Sequence, residues 1–523
     1  MSDKVRLPGP CGGRIRRRRF LAGSLAGASV AAPFTMARGA PMAFAADPFA
    51  LGVASGAPRE DGVLLWTRLA PSPLEGGGMP DAPVSVDWQI AHDEKFARVA
   101  TQGTVQASPE LAHSVHAEVQ GLQPGRSYWY RFRTGSALSP IGRTRTAPQA
   151  ASSPARFRFA FASCQHYEQG YFAAYRDMAG RDLDLVVHLG DYIYEKSWGS
   201  RHVRRHGVGI PTTLPEFRDR YALYKLDPDL QAAHAAFPWL AIWDDHEVAD
   251  DYADDRSYTT PDPVRFMKMR AAAYQAYYEH MPLRATSLPN GSRIQLYRSF
   301  SFGDLAQFFV LDTRQYRTDQ PCGDGTKARC GGEIDPNGTI LGTTQREWLF
   351  NGMGKSSSRW NVIAQQVMMA KVDTDPGPGE QVSMDQWSGY EVDRRRVIEF
   401  LAQRKPSNPV VITGDIHSNW VADLKSDFTK EASAIVGTEF VGTSITSGGD
   451  GSDVPADQWS ALKRANPHLK FHARRRGYVV CRLTPETYKV DYREVEYVTK
   501  PGAPLKTVAS YVLENGQTGA KKA

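Results

Sequence analysis

Four places in this chain set metal-capable side chains just past a short apolar run. Ser163, Cys164 and Gln165 follow the alternating segment Phe157–Ala162. Leu185, Val186 and Val187 lead into Gly190 and Asp191, with Glu195 close behind and Tyr194 three residues on, where one helical turn would set it beside Asp191. The run 239–243 ends in Asp244, Asp245, His246 and Glu247, and the run 409–413 ends in Gly414, Asp415, Ile416 and His417. Thiolate, phenolate, imidazole and carboxylate are the donors of a metal centre. The chemistry they suit is polarisation of a substrate and activation of water by a bound metal ion. Each cluster alone is a weak signal, because Gly-Asp turns are common, acidic pairs are usually solvated and a lone His is usually structural. Four such clusters in one segment carry the reading.

Side chains so placed need strands to carry them. Short apolar runs alternate with helical patterns over 170–180, 213–224 and 264–280, which predicts an α/β domain with its ligands at strand carboxyl ends. Residues 46–148 read differently. Val63, Leu64, Leu65 and Trp66, then the alternating run 84–90, then Tyr128, Trp129 and Tyr130 are strand-like segments parted by Gly and Pro. A strand, then Gly121-Leu122-Gln123-Pro124-Gly125, then Tyr128 and Tyr130 resembles a fibronectin or immunoglobulin-like sandwich with a corner tyrosine. Acids, histidines and cysteines do not gather there, so its expected role is packing and positioning. The Ala-, Pro- and Ser-rich stretch after 147 is the expected linker, and the catalytic domain is expected over 156–510.

Residues 1–45 read as an export leader. Arg16 to Arg19 precede Phe20, Leu21 and a mild apolar stretch, and Ala43-Phe44-Ala45 offers a small-x-small cleavage site. Arg17, Arg18, Phe20 and Leu21 fit the twin-arginine type, with a general signal behind a basic N-terminus as the alternative. The leader carries eight Lys and Arg against one Asp, so without it the formal charge of +6 becomes −1. The basic balance therefore gives no reason to expect specific nucleic-acid binding. Beyond the leader no apolar run is long enough to span a bilayer, which takes about 20 residues. Cys322 and Cys330 flank a Gly-rich loop that a disulfide could close in an oxidising compartment, or they are free loop thiols. Cys481 lies in a buried-strand pattern.

The order of the clusters, strand–Asp-x-x-Tyr, strand–Asp-His-Glu and strand–Gly-x-x-His, resembles the calcineurin-like metallophosphoesterases. That resemblance implies a β-sandwich flanked by helices and a binuclear centre bridged by the Asp of Gly-Asp, here Asp191. Ala162-Ser163-Cys164-Gln165, Gly190-Asp191-Tyr192-Ile193-Tyr194-Glu195, Trp243-Asp244-Asp245-His246-Glu247-Val248, the stretch from Phe309 to Arg317, Thr413-Gly414-Asp415-Ile416-His417 and the stretch from Tyr274 to Pro282 are more closely similar to PhoD-type alkaline phosphatases. The likeness runs over nearly the whole chain. It implies ferric iron, Fe(3+), with calcium, Ca(2+). Cys164, Asp191, Tyr194 and His417 suit the iron, with Tyr194 placed as in purple acid phosphatases. Asp245 and Asp415 stand where the wider superfamily has Asn and His. With the bridging Asp191 they suit a hard ion such as calcium. Asp244 is either a further calcium ligand or a supporting carboxylate, and ranks below Asp245. His246 is expected to be catalytic, stabilising phosphate oxygens or protonating the leaving alkoxide, with a structural pair to Glu247 as the alternative. Arg314 is expected to bind phosphate, or else to pair with Asp312. Gln365 stands near a position where the superfamily has a His ligand.

The expected activity is hydrolysis of phosphate monoesters by an exported, periplasmic or secreted enzyme, with phosphodiesterase activity beside it. The alternatives are a phosphodiesterase or phospholipase D-like enzyme on the same scaffold, and a non-catalytic metal- or phosphate-binding surface protein. A polysaccharide-binding reading rests on the first domain alone and leaves residues 156–523 unexplained.

Overall fold

The computed structural model describes residues 44–375 and 377–523, and almost all of the expected leader lies outside them. No helix among the described residues is long and apolar enough to cross a membrane.

Two sheets packed face to face carry the catalytic segment. One has ten strands, in the order Lys521–Lys522, Leu505–Glu514, Thr487–Val495, Gly477–Leu483, Phe157–Ala162, Leu185–His188, Pro238–Ala241, Val53–Arg59, Gly62–Arg68 and Ser114–Val119. The other has eight: Arg298–Phe302, Ala306–Val310, Trp360–Ala364, Pro409–Thr413, Ile435–Val441, Asn419–Lys425, Leu469–Arg475 and Gly451–Ser452. Strand periodicity explains the layering, because successive side chains point to opposite faces. Phe308, Val410 and Ile412 pack between the sheets. Their neighbours Phe309 and Val411 pack outward with Leu349, Met353, Val397 and Leu401 of the helices Gly342–Lys355 and Glu391–Arg404. Between the sheets Phe157 stacks on Phe302 with ring centroids 4.1 Å apart, and Phe159 meets Phe308 edge-on at 5.1 Å. The expected helices appear as Ala173–Ala179, Leu214–Lys225 and Pro263–His280. The last is capped by the Asp262 carboxylate, which accepts the Val264 and Arg265 N–H groups.

The N-terminal segment is all-β, as expected, but only half of it forms a sheet of its own. Val84–Ala91, Val99–Ala107, Ser127–Thr134, Ala137–Leu138 and Gly142–Arg145 make one antiparallel layer. It packs through Val86, Ile90, Tyr130 and Phe132 onto Val53, Val63, Leu65 and Val115. These last belong to strands that extend the ten-stranded sheet, because Val53–Arg59 pairs in parallel with Pro238–Ala241 at Ser55↔Pro238 and Gly56↔Trp239. The junction is tight: a Cβ on Gly56 would lie 2.6 Å from the Pro282 carbonyl oxygen. Tyr128 is the corner tyrosine, its hydroxyl accepting the Gln123 N–H at 2.9 Å.

Candidate active site

The catalytic strands Phe157–Ala162, Leu185–His188 and Pro238–Ala241 run parallel in one sheet. Pro409–Thr413 and Ile435–Val441 run parallel in the other. Their carboxyl ends meet, and a parallel bridge between Ser163 and Ser444 links the two sheets there. All six expected metal ligands lie at this junction. Four of them adopt the left-handed backbone that L-residues seldom occupy: Cys164 (φ 59°), Asp191 (56°), Asp415 (64°) and His417 (51°). Such strain persists where the surroundings fix it, and it concentrates at functional sites. Gly190 is needed for the same turn. Its φ is +113°, and a Cβ there would lie 2.4 Å from Asp244 Cβ.

Tyr194 reaches Asp191 without the helical turn its spacing suggests. The left-handed Asp191 opens a tight non-helical loop instead, and Tyr194 Oη still lies 2.7 Å from Asp191 Oδ2 and 3.1 Å from His417 Nε2. Donor atoms of Cys164, Asp191 and His417 lie within 4.8 Å of one another, as do those of Asp244, Asp245 and Asp415. Asp191 Oδ1, Asp244 Oδ2 and Asp245 Oδ1 are buried without a hydrogen-bond partner. Burial, reinforced by neighbouring carboxylates, pushes Asp191, Asp244 and Asp415 well above the usual carboxylate range, and Cys164 and Tyr194 well above theirs. Burial, with Arg476 nearby, lowers His417 to about 3, which leaves its imidazole neutral and able to donate a lone pair. Buried carboxylate oxygens without hydrogen-bond partners, set beside neutral donors, have one economical resolution, which is bound cations. The residues therefore fit a metal centre.

His246 sits against this centre, its ring stacked on Tyr194 at 4.1 Å. Its Nδ1 lies 2.7 Å from Glu195 Oε2, and its Nε2 lies 3.4 Å from Asp250 Oδ1 and 3.8 Å from Asp245 Oδ2. Burial lowers its basicity, but Asp245, Glu195 and Asp191 outweigh this and raise its pKa well above the ordinary imidazole value. The pair with Glu247 does not form. The Glu247 carboxylate instead accepts the N–H groups of Asp191, Tyr192 and Asp244 at 3.2, 2.6 and 2.9 Å, tying two ligand loops together.

Arg314 is buried and pairs with neither solvent nor the Asp312 carboxylate through its guanidinium. Its nitrogens lie 2.5 Å from Asp244, 2.7 Å from Asp385, 3.2 Å from Asp415 and 3.6 Å from Asp245. Asp312 instead caps the turn, accepting the Arg314 and Gln315 N–H groups. Gln365 is a packed amide: it donates to the Val367 carbonyl and Thr413 Oγ1 and accepts from Trp387 Nε1.

Several residues at the site were not assigned from sequence. Asp385 accepts from Arg314 and Arg317, Gln386 donates to Asp415 Oδ2 at 2.5 Å, and Ser447 reaches Tyr194. None follows a strand-end Gly-Asp or Asp-His pattern, so no local signal marks them. A second buried group, His166, Glu168 and His206, lies behind Tyr194. The Tyr224 hydroxyl accepts the Tyr167 and Tyr194 N–H groups, both at 3.1 Å, so its own proton goes to His206 Nε2 at 3.0 Å. His206 Nδ1 then carries the ring proton and faces Glu168 Oε2 at 3.6 Å. This group supports the Tyr194 backbone.

The disulfide joins Cys322 and Cys330, with Cα atoms 5.9 Å apart, while Cys164 and Cys481 are free and buried.

Known proteins resemble this chain over most of its length. The family profile described as PhoD-like phosphatase matches residues 159–492, and that of the PhoD-like phosphatase N-terminal domain matches 35–148. Alkaline phosphatase D of Bacillus subtilis (strain 168) is 50% identical over 518 residues, covering 97% of this chain and 89% of that protein. A solved structure described as the structure of PhoD superposes with a TM-score of 0.90 at 50% identity, covering 92% of this chain and 93% of that one.

Proposed function

The chain belongs to the PhoD-like phosphatase family, and on that premise we propose that it is an exported, metal-dependent alkaline phosphatase that hydrolyses phosphate monoesters and also cleaves diesters. The observation that carries this reading is the convergence of buried, partnerless carboxylate oxygens with a thiol, a phenol and a neutral imidazole at the carboxyl ends of two sheets.

Cys164, Asp191, Tyr194 and His417 would hold Fe(3+), and Asp191, Asp245 and Asp415 would hold Ca(2+), with Asp244 beside them. These ions, when bound, neutralise phosphate oxygens and make water a competent nucleophile at the phosphorus. The chain's own groups do the rest. His246 keeps a proton on Nε2, on the side facing Asp245 and Asp250, while Glu195 holds Nδ1 and fixes the ring. That proton goes to the departing alkoxide. Arg314 sets the acidic ligands in place, its guanidinium held between Asp244, Asp385 and Asp415. Glu247 locks the Asp191 and Asp244 loops together, so the donors are preorganised.

Arg17, Arg18, Phe20 and Leu21 support export by the twin-arginine machinery to the periplasm or beyond. A phosphodiesterase on the same scaffold is the second reading, because the donor set treats monoesters and diesters alike. Comparing kcat/KM for p-nitrophenyl phosphate and bis(p-nitrophenyl) phosphate at alkaline pH tests the choice. A faster monoester supports the phosphatase, a faster diester supports the phosphodiesterase, and no turnover of either by iron-containing protein contradicts both.

A further inference from the structure

The loop 443–449, after the strand Ile435–Val441, delivers one buried hydroxyl into the centre. Ser447 is 1% exposed. Its Oγ accepts the His166 N–H at 3.2 Å. It has one proton and two acceptors in reach, the Cys164 carbonyl at 2.8 Å and Tyr194 Oη at 2.7 Å. The charge on Tyr194 decides between them. A protonated Oη donates to Asp191 Oδ2, and a neutral phenol oxygen is a poorer acceptor than an amide carbonyl. Once a cation replaces the phenol proton, Oη is anionic, and hydrogen bonds to ionised acceptors are roughly twice as strong as neutral ones. The preference then reverses with only a rotation about the Cβ–Oγ bond, since the His166 N–H holds the oxygen in place.

Resting on the ligand assignment above, we propose that Ser447 is a positioning residue whose hydroxyl turns from the Cys164 carbonyl to the Tyr194 phenolate and limits how strongly that ligand donates to the ferric ion. Ser163 Oγ lies 3.1 Å from Cys164 Sγ and accepts its thiol proton. Hydrogen bonds to a ligand atom are a recognised control of the electronics of a bound metal. Removing one from a phenolate raises its filled π orbital. Charge transfer from Tyr194 to Fe(3+) then needs less energy, and the ferric state is favoured over the ferrous.

The test is the visible spectrum of the mature protein loaded with ferric iron, beside its measured iron content. Ser447→Ala is expected to keep its iron, to move the charge-transfer band to longer wavelength and to lower the Fe(III)/Fe(II) potential. Ser447→Thr, which retains a hydroxyl, is expected to restore the wild-type band. The wild-type protein supplies a measurement that needs no variant: the phenolate C–O stretch, seen by resonance Raman in that band, should shift on transfer to D₂O. An iron-loaded Ser447→Ala protein with an unmoved band, or an unmoved C–O stretch in D₂O, overturns the proposal and leaves the ligand assignment standing. Iron-loaded wild-type protein with no charge-transfer band overturns the Tyr194 assignment, and the proposal with it.

Discussion

Arg314 Nε lies 2.5 Å from Asp244 Oδ1, and neither side chain reaches solvent. The same guanidinium also meets Asp385 and Asp415, so one fixed cation balances several buried carboxylates. Removing one partner of a buried ion pair costs about 3–5 kcal/mol, because the remaining charge is left uncompensated. Arg314→Met should therefore destabilise the metal-free protein by about that amount, and calcium should recover part of it by binding only the folded state. Thermal melts with and without calcium read this out. An Arg314 that served only to grip phosphate would leave the metal-free melt unchanged and raise KM alone.

Asp191→Asn should lose both metals, since its carboxylate lies within 4.8 Å of donor atoms of Cys164 and His417 and also of Asp245. Metal content by elemental analysis checks this, and full iron together with full activity in that variant would contradict the bridging role.

His246→Asn should retain its metals, because every ligand assigned to them above is kept, yet lower kcat by about 10²–10⁴-fold. The loss should be larger for alkyl phosphates, whose leaving group needs the proton, than for p-nitrophenyl phosphate. An equal loss on both would argue against proton donation.

How much of this was legible in the sequence depends on whether a residue carries a local signal. Asp191, Asp245 and Asp415 do, because each follows a short apolar run that predicts a strand and a turn. Ser447 does not, since it lies among Thr443, Ser444 and Thr446, where nothing local distinguishes one hydroxyl from another. Asp385 follows no apolar strand of its own and reaches Arg314 only through the tertiary fold. The proximity of Tyr194 to Asp191 was legible, but its backbone was not: the left-handed Asp191 replaces the expected helical turn. The sharing of a sheet by Val53–Arg59 and Pro238–Ala241 was also hidden, because pairing between distant segments leaves no mark on either one.

Lys225 supplies a prediction away from the centre. It lies 4.1 Å from the Trp66 ring centroid and 5.4 Å from that of Tyr192, and burial lowers its pKa from 10.5 to about 7. Between those values the unfolded chain holds the proton and the native protein does not, so this residue makes stability rise with pH, by at most about 1.4 kcal/mol per unit. Below pH 7 both states are protonated and the penalty is fully present. Lys225→Met should thus raise the melting temperature most at and below pH 7, with the advantage shrinking toward pH 10.5. A constant difference across that range would contradict the shift.

The most direct test of the central claim is hydrolysis of p-nitrophenyl phosphate at alkaline pH by mature, iron-containing protein, before chelation, after chelation and after calcium is returned. The account predicts activity that disappears on chelation and returns with calcium. Activity that survives the removal of every metal ion would contradict it.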